Sequence, residues 1–356
     1  MKILIVDLSP VLYRFIFSTS TYAQKTMKLP RQKNGLINFE EYKNIFIFKV
    51  LSNLISFKKK FKVDQIVIAV DSKPYWRKTL WSGYKHGRAG SRSSDDNIID
   101  WSATEKASED IVKVLKKAST FKVVSVKGVE GDDVAFALSE ELSNRGHEII
   151  VKSVDHDWIY CTAYKNVTYW QTKHTAPTKS CGYVNHTMDE IIELKWDHVF
   201  YGDMGDYIVP ITRYTQFSDE FLENFPDKKG KELKAWKKRH EIDMAFAEQF
   251  KDKYPTLYEK GNLSAYKHPR FGKKSHLKKL KKLGMTPEEF INSNRIHRLN
   301  FELNKIISLP EFMPSIIKKV IIKDYDDCKT DLIPGDLSKF LMDNGLFKMI
   351  GKISLF

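Results

Sequence analysis

Three short apolar runs, each leading into acids, constrain this chain more than any other feature. Residues 3–6 (ILIV) run into Asp7, residues 65–70 (QIVIAV) into Asp71, and residues 147–154 (HEIIVKSV) into Asp155 and Asp157. Such runs are rich in β-branched residues and too brief for helices. Their near-continuous apolar character fits parallel strands buried on both faces. Segments around 36–57, 103–118 and 131–145 have helical length and spacing, so strands and helices alternate in an α/β arrangement. In an open sheet of this kind the ligand site lies outside the carboxyl ends of the strands, where these acids fall.

Two further groups join them: Glu130 with Asp132 and Asp133, and Asp203 with Asp206. Two unit charges about 4 Å apart repel by about 1 kcal/mol in water and about 4 kcal/mol at the effective dielectric of a protein surface. A converging set of carboxylates therefore implies raised pKa values or bound cations. Hard divalent cations with oxygen ligands suit it, and they would make the cluster a phosphoryl-transfer site. Each acid alone also fits a helix cap or a solvated loop. Asp132 or Asp133 could cap a helix beginning near Val134, and for Asp133 the spacing leaves the two roles nearly equal. His156 lies between two candidate ligands, but neighbours in an extended chain point to opposite faces, which places it outside the site.

The 356 residues suffice for one large or two modest domains, and the net charge is +14 with a pI near 9.3. Surplus positive charge on a chain with an acidic site points to a polyanion partner carrying phosphates. No apolar run reaches membrane-spanning length and no signal-peptide pattern opens the chain, so no membrane partner and a cytoplasmic setting are expected. Cys161, Cys181 and Cys328 are widely spaced and lack metal-ligand spacing, which fits a reducing compartment.

The positive charge is concentrated in two segments. Residues 73–92 (KPYWRKTLWSGYKHGRAGSR) contain Arg77, Lys78, Lys85, Arg88 and Arg92 and no acid, with Tyr75, Trp76, Trp81 and Tyr84 interleaved. Cations beside stacking faces make a single-strand contact surface. The bland alternative is a solvated loop whose aromatics pack on the domain, but proximity to Asp71 favours the contact surface. Residues 267–282 (KHPRFGKKSHLKKLKK) hold Arg270, Lys273, Lys274 and Lys278, with Gly284 as a helix stop. A turn and helix N-terminus there can hold a phosphate. A membrane-surface helix is disfavoured by the thin apolar face of Leu277, Leu280 and Leu283. Residues 227–254 read as one or two structural helices. The last segment, from Asp336, has helical apolar spacing at Leu337, Phe340, Leu341, Leu346, Phe347 and Ile350; packing on the domain is preferred over a short sliding-clamp peptide.

Taken together, VDLSPVLYR (6–14), VDSKPYWRKTLWSGYKHGR (70–88), VEGDDVAFAL (129–138), SVDHDW (153–158) and YGDMGDYIVPI (201–211) resemble the 5′ nuclease or flap endonuclease family, in its bacteriophage and bacterial branch. Each motif alone is weak; five in family order are specific. The resemblance implies a PIN-like α/β nuclease domain over 1–211, with a central, mostly parallel sheet flanked by helices and a basic arch or clamp around 73–102. A mainly helical DNA-binding domain with a helix-turn-helix-like element is implied over 212–356, with an insertion at about 212–264.

The resemblance further implies two Mg²⁺ ions, with Mn²⁺ able to substitute. Asp7, Asp71, Glu130 and Asp132 match ligands around the first, and Asp155, Asp157, Asp203 and Asp206 around the second, with Asp132 or Asp133 near the bridge. Lys85 and Arg88 match the arch residues that meet the scissile phosphate. Residues 269–280 (PRFGKKSHLKKL) resemble the duplex-holding element, which in the family carries a monovalent ion in a glycine-rich loop; here one glycine is evident.

The implied activity is 5′ to 3′ exonuclease and flap endonuclease, with ribonuclease H activity that removes RNA primers in replication and repair. The implied partners are DNA with 5′ ends, flaps or RNA:DNA hybrids, together with a sliding clamp or single-strand-binding protein, for a monomeric protein. A PIN-like endoribonuclease and a catalytically inactive nucleic-acid-binding homologue are the competing readings.

Overall fold

The structure is a computed structural model that describes residues 1–81, 84–85, 98–172, 181–203, 205–206, 208, 210–211, 284, 286–292 and 295–356. The chain groups into two compact units. The first comprises Met1–Tyr75, Arg92–Met188 and Pro314–Phe356, and the second Trp76–Ser91 and Asp189–Met313.

The first unit is built on a six-stranded sheet: β1 (Lys2–Asp7), β2 (Gln65–Ala69), β3 (Lys122–Val124), β4 (Glu148–Ser153), β5 (Val167–Gln171) and β6 (Gly182–Val184). The strand order is β3-β2-β1-β4-β5-β6, and all neighbours are parallel except β5 and β6. Ile3 to Val6 have no exposed surface, as strands covered on both faces require. Strand order reverses at β1, so the crevice between the carboxyl ends of β1 and β4 is the topological switch point of the sheet.

Helices α1 (Leu8–Lys25), α2 (Lys43–Phe61), α4 (Trp101–Ala118) and α5 (Gly131–Asn144) flank this sheet, with the short α3 (Arg77–Leu80) in the second unit. The helix expected from residue 36 begins at Lys43, because residues 39–41 form a separate 3-10 turn capped by Asn38. Helix α1 went unread in the sequence: its STST stretch favours turns, yet Thr19 and Ser20 are buried and donate their hydroxyls to Phe15 O and Ile16 O. Phe46, Val50, Leu54 and Phe57 of α2 meet Ile66 and Ile68 of β2 and Leu115 of α4 in one core.

In the second unit, α6 (Met188–Tyr201), α7 (Pro287–Asn292) and α8 (Arg295–Ser308) surround a small core of Phe200, Ile211 and Ile291. Buried Asn300 and Asn304 donate to Ile211 O and Val199 O, both at 2.9 Å, so a loop carbonyl and a carbonyl in the last turn of α6 are satisfied from one helix face.

Helices α9 (Ser315–Asp327), α10 (Pro334–Asp343) and α11 (Phe347–Ile350) make the C-terminal residues helical and group with the first unit. Leu337, Leu341, Met349 and Phe356 are completely buried in the main core, and the Thr120 amide donates to Phe356 O at 2.7 Å. Packing is thus the role observed for this segment. The insertion at 212–264 and the basic segment 267–282, with Arg270, Lys273, Lys274 and Lys278, lie outside the described residues. Leu341→Ala should destabilise the chain by about 2–5 kcal/mol through the cavity it leaves, measured by urea denaturation; an unchanged midpoint would contradict the packing described.

Candidate active site

Backbone direction alone brings several acids to one edge. Asp7 is the last residue of β1 and also the N-cap of α1, but its carboxylate makes no capping bond. Instead its Oδ2 accepts from Ser153 Oγ, at the end of β4, at 2.7 Å. Asp71 follows β2. Its Oδ1 accepts the Gly131 N–H at 2.7 Å and its Oδ2 accepts from Ser9 Oγ. A Cβ placed on Gly131 would lie 3.6 Å from Asp71 Oδ1 and 3.7 Å from Asp7 Oδ1, so both carboxylates stand at the first turn of α5. The positive end of that helix favours anions there.

The field at this edge is asymmetric. Burial, then the neighbouring Asp71 and Asp155 charges, push Asp7 up to about 8, while the Ser153 hydrogen bond opposes the shift. Burial also pushes the Tyr169 phenol up, with Asp155 and Asp7 adding to it. Tyr169 donates its hydroxyl to Asp155 O at 2.7 Å, and the Asp155 N–H donates to Ser153 Oγ at 3.0 Å. Ser153 therefore ties Asp7 to the loop that carries Asp155.

The remaining acids of this unit have protein partners. Glu130, rather than Asp132 or Asp133, is the N-cap of α5. It forms a capping box in which the Glu130 N–H donates to Asp133 Oδ2 at 3.2 Å, and both side chains are buried. The capping role left open for Asp133 is therefore present, shifted by the helix starting earlier than expected. Asp132 Oδ1 accepts from Trp158 Nε1 at 2.6 Å. Asp155 Oδ1 accepts the Asp157 N–H at 3.1 Å, capping a 3-10 helix over His156–Ala163. That helix replaces the extended chain assumed for His156, whose ring lies 3.1 Å from the Gln171 side-chain amide.

Fit to divalent cations follows from these contacts. Asp7, Asp71 and Asp155 are oxygen donors whose charges oppose one another, the donor type hard divalent cations prefer. Among the described residues, no group of three or more His, Cys, Asp or Glu side chains is placed to hold a metal ion by itself, so a bound cation would need ligands from water or substrate as well.

In the second unit, Asp203 follows the positive-φ Gly202 and accepts the Gly205 N–H at 2.6 Å. His198, 3.8 Å away, and the Gly205 amide hold Asp203 down at about 2 against its partial burial. Asp206 lies 3.5 Å from Lys85 Nζ and accepts from Tyr84 at 3.4 Å.

The basic loop needs correction where its aromatics are described. Tyr75, Trp81 and Tyr84 are buried rather than presented as stacking faces, because each hides a large apolar area by packing inward. Arg77 is buried too, its Nε–H donating to Ile307 O at 2.9 Å and its guanidinium 4.6 Å from the Trp76 ring. Lys78 is exposed, and Arg88 and Arg92 lie outside the described residues. Sequence reading missed the groups that fix the acids: Ser9, Ser153, Trp158 and Tyr169. Ser9, Ser153 and Trp158 lie within the acidic motifs, so their spacing was the available signal.

Asp7 generates a pH signature. With its folded pKa raised above the ordinary value of about 4, its ionisation opposes folding. Stability without metal should therefore fall as pH rises from about 4 through the raised value near 8. Thermal melts in EDTA should show Asp7→Asn raising Tm at pH 8 and leaving it unchanged at pH 4. Equal effects at both pH values would contradict this electrostatic description.

The family model described as 5′-3′ exonuclease, N-terminal resolvase-like domain, matches residues 2–191. A ribonuclease H from Enterobacteria phage T4 is 29% identical over 149 residues, 39% of this chain and 48% of that protein. A 5′-3′ exonuclease from Buchnera aphidicola is 27% identical over 129 residues, 36% of this chain and 41% of that protein. The chain thus spans less than half the length of the curated relatives it matches. The solved structure of bacteriophage T5 D15 flap endonuclease in complex with DNA and metal ions covers 92% of this chain and 98% of its own, at 13% identity and a TM-score of 0.49. With the family model matching more than half of its residues, this chain belongs to the 5′-3′ exonuclease N-terminal resolvase-like domain family.

Proposed function

We propose that the chain hydrolyses nucleic-acid phosphodiesters with the help of divalent cations, as a 5′ to 3′ exonuclease and structure-specific flap endonuclease that removes RNA primers or flaps during replication. The observation that carries this reading is the placing of Asp7 and Asp71 beside the N-terminus of α5, with the Asp155 charge near enough to act on Asp7. Two divalent cations, Mg²⁺ or Mn²⁺, held by these carboxylates with Asp132, Asp157, Asp203 and Asp206 would lower the pKa of an attacking water and balance charge on the leaving oxygen.

The chain's own groups define the rest. Ser153, Ser9 and the Gly131 amide hold Asp7 and Asp71 in fixed orientations, so the site is preorganised. Glu130 and Asp133 serve the site chiefly through the cap that positions α5. Lys85 neutralises Asp206 and is available to a nonbridging phosphate oxygen when Asp206 takes another partner. Arg88, Arg92 and Lys78 would guide the 5′ strand, and Arg270, Lys273, Lys274 and Lys278 the duplex. No described helix is long and apolar enough to cross a membrane.

Cleavage of 5′-labelled flap and RNA:DNA substrates in Mg²⁺ is the test. Asp155→Asn combined with Asp203→Asn should lower the rate by more than about 100-fold, beyond the effect of residues that only orient ligands. Activity surviving that pair would sink the mechanism. Linear RNA cut as well as structured flaps would replace it with an endoribonuclease.

A further inference from the structure

A second chemical pattern runs across the sheet beside the acids. Lys152 of β4 pairs in register with Trp170 of β5, and Trp170 with Tyr183 of β6. Lys152 itself pairs with Val6, the residue before Asp7, so the row begins at the acid edge. Residues two apart on a strand share a face. Thr168, on the face of Trp170, is exposed in mid-strand, and Tyr183 is 51% exposed, so this end of the sheet is open to solvent.

Three cations gather along the row. Lys152 is almost fully buried, with Nζ 4.6 Å from the Phe57 ring centroid, and Lys60 Nζ stands 4.5 Å from that of Trp170. Arg14 projects from α1, exposed. Among the described residues their contacts are with aromatic rings, not carboxylates. Burial pushes the Lys152 ammonium down to about 8; Asp7 opposes that shift, and Lys60 and Arg14 add to it. Lys60 and Arg14 nonetheless raise the cost of the Lys152 charge, and a bound anion relieves such repulsion as a cation relieves that of the acid cluster. Trp170 and Tyr183 meet edge to face at 4.9 Å, and the exposed Tyr183 ring leaves a surface for a base.

We propose that this face binds single-stranded nucleic acid, with Arg14, Lys60 and Lys152 attracting its phosphates and Tyr183 stacking a base beside Trp170. A duplex hides the base faces that these rings would meet, whereas a single strand exposes them. That the bound strand is the one cleaved rests on the proposed hydrolysis; the binding itself does not.

Binding of a labelled oligothymidine, followed by anisotropy in EDTA, separates the two claims. Lys60→Gln with Tyr183→Ala, both at exposed positions, should weaken binding about tenfold while leaving blunt-duplex affinity and Tm unchanged. Arg14→Gln, also at an exposed position, should reduce the slope of log affinity against log salt by about 0.7. Unchanged oligothymidine affinity, an equal loss on duplex, or competition by polyglutamate as strong as by oligothymidine would overturn the proposal. Binding retained by a wild-type chain that cleaves nothing would overturn the nuclease reading and leave this one standing.

Discussion

The fold turns on one electrostatic conflict, the buried carboxylate of Asp7 facing Asp71 and Asp155. A parallel sheet makes the conflict possible because it carries every strand end to the same edge. The surrounding structure moderates it. Ser153 donates to Asp7, and Ser9 and the amide at the first turn of α5 donate to Asp71. These contacts do not remove it, since Asp7 still carries a raised pKa. A folded chain that retains such repulsion is poised for a cation, and the proposed chemistry is the use of that readiness.

Much of the sheet was legible because β-branched runs such as Ile3–Val6 report double-sided burial directly. Strands β5 and β6 were not, because their polar and aromatic alternation reflects a face open to solvent rather than a covered one. Helix α1 was hidden by Ser and Thr residues whose turn preference is overridden once their hydroxyls bond back to the helix. Local preference loses where tertiary burial supplies the partner.

At the candidate site, the position of Asp7 and Asp71 at strand ends was readable but detailed contacts were not. Spacing could not show that Glu130 begins α5 and draws Asp133 into its cap, because both roles use a carboxylate near a helix start. Nor could it show that Tyr84 and Trp81 turn inward, since an aromatic among cations suits a buried wedge or a stacking face equally. The basic-aromatic character sought in that loop appears on the sheet itself, where register places Lys152, Trp170 and Tyr183 in one row.

In the proposed function, Asp7 and its neighbours hold a cation whose binding relieves the electrostatic cost that raises the Asp7 pKa. Titration calorimetry with Mg²⁺ at pH 7, in two buffers of different ionisation enthalpy, counts the protons released on binding. Saturable binding with proton release, lost in Asp7→Asn, is the predicted result. Absence of binding, or binding with the same proton count in the variant, would contradict it.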